Sequence, residues 1–209
     1  MRSVKERPII MSAESVNALL SGAKTQTRRV VKPQPVDDGR APVPFYPYPS
    51  VARSGMMVQN IPARYGRPGE RLWVKETWAP RPLAAPDAPS VRYRADCEGA
   101  LATEEASGVR WTSPLFMPRS VSRITLELTE VSIERLHDVT EDDALAEGYE
   151  FWRSAMLQGE SERYSGAARE GYRVLWDKLN AERGFPWTAN PWVWVLSYTR
   201  LEAEEVEDE

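Results

Sequence analysis

Side chains that could do chemistry are concentrated between residues 22 and 31. Within six residues this segment holds a lysine, two threonines and two adjacent arginines: Lys24, Thr25, Thr27, Arg28 and Arg29. A lysine close to a hydroxyl can act as a base or nucleophile, and two arginines can neutralise an anionic substrate or a developing oxyanion. The alternative is a solvated edge strand, on which basic side chains prevent aggregation.

A short strand and a helix are predicted to lead into this segment. Residues 7–11 have a strand pattern, and Ser12 is a typical helix N-cap. Glycine at position 22 terminates the helix, because glycine tolerates the positive φ of a helix C-terminus.

The spacing of Lys24 and Thr27 places a condition on any joint role. In a strand over 25–31, side chains alternate between the two faces, so residues three apart point in opposite directions. The two side chains can meet only if Lys24 belongs to the turn after Gly22 and reaches across with its flexible stem.

The strand pattern at 71–78 contains an acid in an unusual position. One face of this strand carries, in alternation, Leu72, Val74, Glu76 and Trp78. Burying an unpaired carboxylate is costly. We therefore expect Glu76 to lie at the open end of a sheet or to pair with an arginine.

The longest strand pattern, at 122–135, changes its parity. Its apolar positions shift phase near Thr129 and Glu130, which predicts a bulge or sharp bend of the kind that curls a sheet. A capping-box pattern at Thr140 then predicts a short helix, which Glu147 closes.

Three further elements complete the predicted fold. They are a strand at 91–96, a helix at about 168–183 and a buried, central strand at 190–196. The order of elements predicts a mixed α+β fold, a small bent β-barrel of about six strands with flanking helices.

The chain is expected to be one domain, residues 1–201, with two proline-rich insertions. These insertions lie at about 32–66 and 79–90, and aromatic residues of the first (Phe45, Tyr46, Tyr48) could cover a pocket or only pin a loop. The acidic tail, 202–209, is predicted to be disordered.

Composition excludes several classes of function. The 209 residues have a net charge of −4, with one cysteine and one histidine, so an internal disulfide and a Cys/His zinc site are excluded. No apolar run approaches a membrane span, and we expect a cytoplasmic protein without strong non-specific DNA binding.

The motifs also occur in a familiar order. They are Gly-x-Lys-Thr-x-Thr-x-Arg at 22–29, Pro-Gly-Glu-Arg-Leu-Trp-Val at 68–74, the bent strand, Thr-Glu-Asp-Asp-Ala-x-x-Glu-Gly at 140–148, and an apolar C-terminal strand. This order resembles the ASCH domain, a PUA-like β-barrel, over most of residues 7–201. The insertions and the Trp-Val-Lys-Glu-Thr-Trp block resemble its long, bacteriophage- and prophage-encoded branch.

The resemblance implies an activity and a catalytic set. Some compact ASCH proteins are amidohydrolases that remove the acyl group from N4-acetylcytidine. Their lysine, threonine and glutamate fall here on Lys24, Thr27 and Glu147, and the family arginine falls on Arg29. No metal or cofactor is expected.

Six further residues are predicted to bind the substrate: Arg28, Arg29, Glu76, Trp78, Arg119 and Arg123. The expected partner is a modified nucleoside or RNA, with the oligomeric state left open. Two alternatives remain at this point. One is a non-catalytic module that binds RNA or modified nucleotides, and the other is an ASCH-type ribonuclease, which in a metal-dependent form would need Glu76, Asp96 and Glu147 to converge.

Overall fold

The computed structural model describes residues 4–36, 41–45, 58–80, 91–97, 108–149 and 168–202. None of the helices in these ranges is long and apolar enough to cross a membrane. Several predictions lie outside them: the acidic tail beyond residue 202, most of the second insertion, and the proposed lid aromatics Tyr46 and Tyr48. The side chain of Phe45 is likewise not described.

The described residues form nine strands and three α-helices. The strands are β1 (Glu6–Ile10), β2 (Gln26–Val30), β3 (Ala41–Phe45), β4 (Val58–Pro62), β5 (Arg71–Lys75), β6 (Trp78–Pro80), β7 (Val91–Tyr93), β8 (Thr125–Arg135) and β9 (Trp192–Leu201). The helices are α1 (Ala13–Leu20), α2 (Glu141–Ala146) and α3 (Ala168–Asn180). The fold is therefore mixed α+β, as predicted.

Five strands form the main sheet, in the order β1-β5-β8-β9-β2. The β1–β5 pair is parallel and the other three pairs are antiparallel. Strand β9 lies between β8 and β2, and its burial on both faces confirms the predicted central strand. In the described ranges β1 and β2 are the sheet edges, so these five strands do not close a barrel.

The predicted bend in the long strand is confirmed. The register between β8 and β9 shifts between Leu128 and Glu130, which is a β-bulge at the position where the apolar pattern changes parity. The bulge lets Leu128 and Val131 both be buried although they are three residues apart.

The helix ends also follow the sequence signals. Ser12 accepts a hydrogen bond from the backbone of Ser15 at the start of α1, and Gly22 has a φ of 78° after its end. A capping box joins Thr140 and Asp143 at the start of α2, and Glu147 is its C-cap.

The first insertion contains regular structure that the sequence pattern does not predict. Strands β3 and β4 form a separate parallel pair, and two of the three prolines in it occupy β3. Proline cannot donate to a ladder, so it is found in strands of this edge type rather than in a central strand. Strands β6 and β7 form a second small pair, which carries the end of the predicted 71–78 strand.

Two apolar clusters surround the main sheet. One packs α1 against β1, β5 and the first half of β8, and includes Val16, Leu72 and Leu126. The other packs α2 and α3 against β9, and includes Tyr172 and Val195. Strand β2 pairs with β9, and its Val30 packs against the second cluster.

Candidate active site

Lys24 lies in the turn between α1 and β2, as its spacing from Thr27 requires. Its backbone N–H donates to Ala18 at 3.0 Å, and Thr25 N–H donates to Ala146 at 2.9 Å. Lys24 and Glu147 also form an isolated β-bridge. The end of α1 is thereby tied to the end of α2 across more than a hundred residues of sequence.

The Lys24 side chain is buried against Glu147. Its Nζ lies 2.7 Å from Glu147 Oε2 and 2.8 Å from the backbone oxygen of the same residue. The side chains of Lys24 and Glu147 are only 4% and 6% exposed. A fully buried ion pair is unusual, because desolvating both charges offsets most of their attraction.

Burial lowers the pKa of Lys24 below its ordinary value. The Glu147 carboxylate opposes this shift by its charge and its hydrogen bond, whereas the Arg29 and Arg28 guanidiniums reinforce it. A lysine with a lowered pKa can give up its proton more easily and act as a base.

The second oxygen of Glu147 contacts two other groups. Tyr172 donates from its hydroxyl to Oε1 at 3.4 Å, and Arg28 Nη1 lies 3.6 Å from the same atom. Burial, followed by the nearby carboxylate, raises the pKa of Tyr172 well above its ordinary value. Tyr172 therefore stays protonated and serves as a donor that holds the Glu147 side chain in place.

Thr27 is buried in β2, with 3% of its surface exposed. It pairs with Leu196 of β9, so its backbone position is fixed by the ladder. Its side chain lines the same cavity as Lys24 and Glu147. Among the described residues, its hydroxyl has no hydrogen-bond partner, which leaves the hydroxyl available to a ligand or water.

Three carboxylates lie close to the Arg28 guanidinium, which nevertheless has N–H groups without a hydrogen-bond partner among the described residues. Its Nη1 donates to Gln26 at 2.6 Å, and its Nη2 lies 3.2 Å from Asp143 and 3.7 Å from Glu134. Within the described ranges, neither the buried Nε nor Nη2 forms a hydrogen bond. Buried donors of this kind are normally satisfied by a ligand or water.

Arg29 is bound through backbone and sulfur, not through a carboxylate. Its Nη2 donates to the backbone oxygen of Ile10 at 2.8 Å and contacts Met11 Sδ at 3.2 Å. Among the described residues, no carboxylate neutralises the positive charge of Arg29, and this charge helps to lower the pKa of Lys24.

These residues share one cavity of about 460 Å³. Its lining includes Lys24, Thr27, Arg28, Arg29 and Glu147. Sites for small molecules and cofactors have volumes of roughly 300–1,000 Å³. The lysine and the glutamate are thus in contact, and the threonine lines the same cavity.

Four predicted substrate-binding residues lie outside the lining of this cavity: Glu76, Trp78, Arg119 and Arg123. Glu76 is 1% exposed and accepts from Arg123 Nε at 2.9 Å and Nη2 at 3.0 Å, which confirms the expected arginine pairing. Arg123 also binds Asp96, at 2.7 Å. Arg119 pairs with Glu6 near the surface.

These contacts have a structural explanation. The Arg123 pair satisfies a carboxylate that the strand pattern buries, and Trp78 pairs with Tyr93 in the β6–β7 ribbon. Glu76 and Asp96 share Arg123, whereas Glu147 pairs with Lys24. In the described part of the chain, no group of three or more His, Cys, Asp or Glu side chains is placed to hold a metal ion.

Sequence reasoning missed Tyr172 and Asp143 as parts of the site. Tyr172 lies at an apolar position of the helix predicted at about 168–183, and Asp143 lies in the capping-box motif at 140–148. The phenol was the available signal, because a buried tyrosine normally finds a partner for its hydroxyl.

Comparison of the chain with models of protein families, with curated proteins and with solved structures finds no match. A buried lysine, a carboxylate and an unpartnered hydroxyl suit acyl transfer, since they supply a base, an acid and a nucleophile.

Proposed function

We propose that the protein is a hydrolase that cleaves the exocyclic amide of an N4-acylated cytidine nucleoside or a related modified base. The observation that carries this proposal is the buried Lys24–Glu147 pair in one cavity with the hydroxyl of Thr27. We further propose that the bent, open sheet and its flanking helices belong to the PUA-like fold of the ASCH type, which the motif order supports.

The buried Lys24–Glu147 pair can exchange one proton reversibly between its two side chains. Moving one proton from Lys24 to Glu147 converts two buried charges into a neutral amine and a neutral carboxylic acid, which avoids their desolvation cost. The 2.7 Å contact between Nζ and Oε2 allows this transfer without any movement of the chain. The resulting amine is a base and the resulting acid is a proton donor.

In the first step the Thr27 hydroxyl attacks the acyl carbon and gives its proton to Lys24. The carbonyl oxygen becomes an oxyanion, which the buried Arg28 stabilises. Glu147 then protonates the exocyclic nitrogen as the carbon–nitrogen bond breaks. Cytidine leaves, the acyl group is an ester on Thr27, and the pair is again an ammonium and a carboxylate.

The second step releases the acyl group. A water molecule attacks the ester and gives a proton to Glu147, and Lys24 returns a proton to the Thr27 oxygen. The products are a carboxylic acid and the resting enzyme. In the alternative route Thr27 only positions this water, which attacks the amide directly with the same two proton transfers.

The test is to incubate the purified protein with N4-acetylcytidine and to follow cytidine and acetate by mass spectrometry. We expect turnover by the native chain and a loss of about 10²-fold or more in Lys24→Met and Glu147→Gln, since each removes a proton-transfer group. An unmodified single-stranded RNA is the parallel sample. Shortened RNA, or RNA binding without any nucleoside turnover, would contradict the proposal.

A further inference from the structure

A second cavity of about 520 Å³ adjoins the candidate active site. The two cavities share three lining residues, Val30, Lys32 and Arg64. They are therefore neighbouring compartments of one cleft, and two cations lie at the boundary between them. Both Lys32 and Arg64 are exposed.

The second cavity has firm, mainly apolar walls. Trp194 lines it from β9, and Tyr65, which lines the first cavity, lies edge-on to Trp194 with ring centroids 6.3 Å apart. Gln34 also lines this cavity, and three hydrogen bonds hold it in place. It donates to Val31 at 2.7 Å and to Trp192 at 3.0 Å, and it accepts from Trp192 at 2.8 Å.

The lining of the first cavity is strongly biased towards positive charge. It contains six basic residues but one acid, Glu147. Among the described residues, no carboxylate pairs with four of these cations: Arg29, Lys32, Arg64 and Arg183. Lys32 and Arg64 instead lie over aromatic rings, those of Phe185 and Tyr65. Cations left without carboxylates along a cleft favour an anionic ligand.

We propose that the two cavities are subsites for two consecutive nucleotides of a single-stranded RNA, with the connecting phosphate held between Lys32 and Arg64. The identity of the reacting base in the first subsite rests on the function proposed above. The neighbouring nucleotide occupies the second subsite, where its base packs against the prolines at 33, 35 and 62.

This arrangement suits a strand better than a free nucleoside. A lone nucleoside fills one compartment and brings no negative charge to the boundary cations. A dinucleotide fills both compartments and places one phosphate between them, where Arg binds it bidentately and Lys as a point charge. Exposed Asn60 lines the second cavity and presents an amide that can bond a base edge.

The decisive experiment is calorimetric titration with unacylated ligands, which bind without turnover. The ligands are the dinucleotide cytidylyl-(3′→5′)-cytidine, cytidine 3′-monophosphate and cytidine 5′-monophosphate. We expect the dinucleotide to bind at least about tenfold more tightly than either monophosphate, and Lys32→Ala/Arg64→Ala to remove most of that advantage. The matched control is Lys5→Ala/Arg110→Ala, since both residues are exposed and neither lines either of these two cavities.

Three results would overturn the proposal. One is a monophosphate that binds as tightly as the dinucleotide, which shows a terminal-phosphate site without a second subsite. Another is an equal effect of the cleft and control double variants, which shows only a loss of overall charge. The third is no measurable binding of the dinucleotide.

Kinetics separate this inference from the proposed function. Acyl release is compared between N4-acetylcytidine and the dinucleotide that contains it, and Lys32→Ala/Arg64→Ala should lower kcat/KM for the dinucleotide only. Absence of turnover with every acylated ligand would contradict the proposed hydrolase, and the titrations alone would then decide whether the cleft binds two nucleotides.

Discussion

The hydroxyl of Thr27 and the ammonium of Lys24 differ in the hydrogen-bond partners that the protein provides. The ammonium has two acceptors from one residue, Glu147, at 2.7 and 2.8 Å. Thr27 is as buried as Lys24 overall, but its hydroxyl has no such partner among the described residues. A side chain that is fixed by its strand but left unsatisfied is suited to bind or attack a ligand.

Replacing Thr27 tests the role of its oxygen. Thr27→Val keeps the shape and removes the hydroxyl, so we expect a loss of about 10²-fold or more in kcat with an unchanged midpoint of urea unfolding. Thr27→Ser keeps the hydroxyl and is the matched control, which should retain most of the activity. Equal activity of the valine variant and the native chain would remove Thr27 from the mechanism.

The pH dependence of acyl release follows from the lowered pKa of Lys24. The reactive pair carries one proton, shared between Lys24 and Glu147. As the pH rises through the pKa of Lys24 this proton is lost and the leaving nitrogen can no longer be protonated, so the rate falls. We expect this alkaline limb below the ordinary lysine pKa, about 10.4, in a plot of kcat/KM against pH.

A rate that stays constant up to the ordinary lysine pKa would contradict this assignment. The Glu147→Gln variant provides the control, since its amide cannot carry the shared proton. Any residual activity of that variant should lack the alkaline limb that the pair produces in the native enzyme.

Part of the site could be predicted from residue types alone. The condition on Lys24, that it belong to a turn to meet Thr27, follows from strand parity, and the structure meets it. Tyr172 could not be found in the same way. Its position in α3 fits an apolar stripe, and only the fold shows that its hydroxyl points to Glu147.

At the scale of elements, the site is the junction of α2 with the turn after α1. Gly148 makes this close approach possible. It has a φ of 82°, and a Cβ on it would lie 3.0 Å from Ala18 Cβ and 3.2 Å from Lys24 Cβ. Glycine is needed here for both its backbone conformation and its missing side chain.

Substitution of Gly148 should therefore affect stability and catalysis together. We expect Gly148→Ala to lower the free energy of unfolding by more than the roughly 1–2 kcal/mol of left-handed strain, and to reduce kcat by displacing Lys24. Gly22→Ala is the control, because Gly22 has a φ of 78° but nothing within 4 Å of its added Cβ. This variant should lose only the roughly 1–2 kcal/mol of stability that the left-handed strain costs, and it should keep its activity.

Urea unfolding and acyl release measure the two effects. If both alanine variants lose the same stability and the same activity, the contact between Gly148 and Lys24 has no role of its own. That result would contradict the role given to the junction of α2 with the turn after α1, but not the roles given to Lys24 and Thr27.

Some elements are encoded locally and others are not. The bulge in β8 is visible as a parity change, and the caps of α1 and α2 are visible as Ser12 and Thr140. The β3–β4 pair is not, since proline-rich strands lack alternation.

At the scale of the molecule, a second ion pair with a buried carboxylate lies beside the main sheet, far in sequence from the first. Glu76 and Arg123 join β5 to the segment before β8. Burial raises the pKa of Glu76, and the Arg123 guanidinium opposes that shift. The pair lies outside the cleft lining, so its role is expected in stability and not in substrate binding.

Removing the arginine should destabilise the fold in a pH-dependent way. Arg123→Met leaves Glu76 buried without its partner, and breaking such pairs costs about 3–5 kcal/mol. The raised pKa of Glu76 rises further, so the folded state binds the proton more tightly than the unfolded state. Stability therefore falls as the pH increases, and the loss should be larger at about pH 8 than at about pH 5.

Arg119→Met is the control for this effect. Arg119 forms a near-surface pair, which contributes about 1 kcal/mol or less. The pKa of Glu6 is lowered, chiefly by its hydrogen bond to Arg119. This contribution is present above the ordinary glutamate pKa and is lost as the pH falls. Equal losses for the two variants across this pH range would contradict the buried-pair account.

The most direct test of the site is the coupling between its members, measured as kcat/KM for N4-acetylcytidine. If Lys24 and Thr27 act as one unit, Lys24→Met and Thr27→Val each remove most of the catalysis. The double variant then has about the same kcat/KM as the less active of the two single variants. Losses that multiply in the double variant, or single variants as active as the native chain, would show that the two residues do not work together.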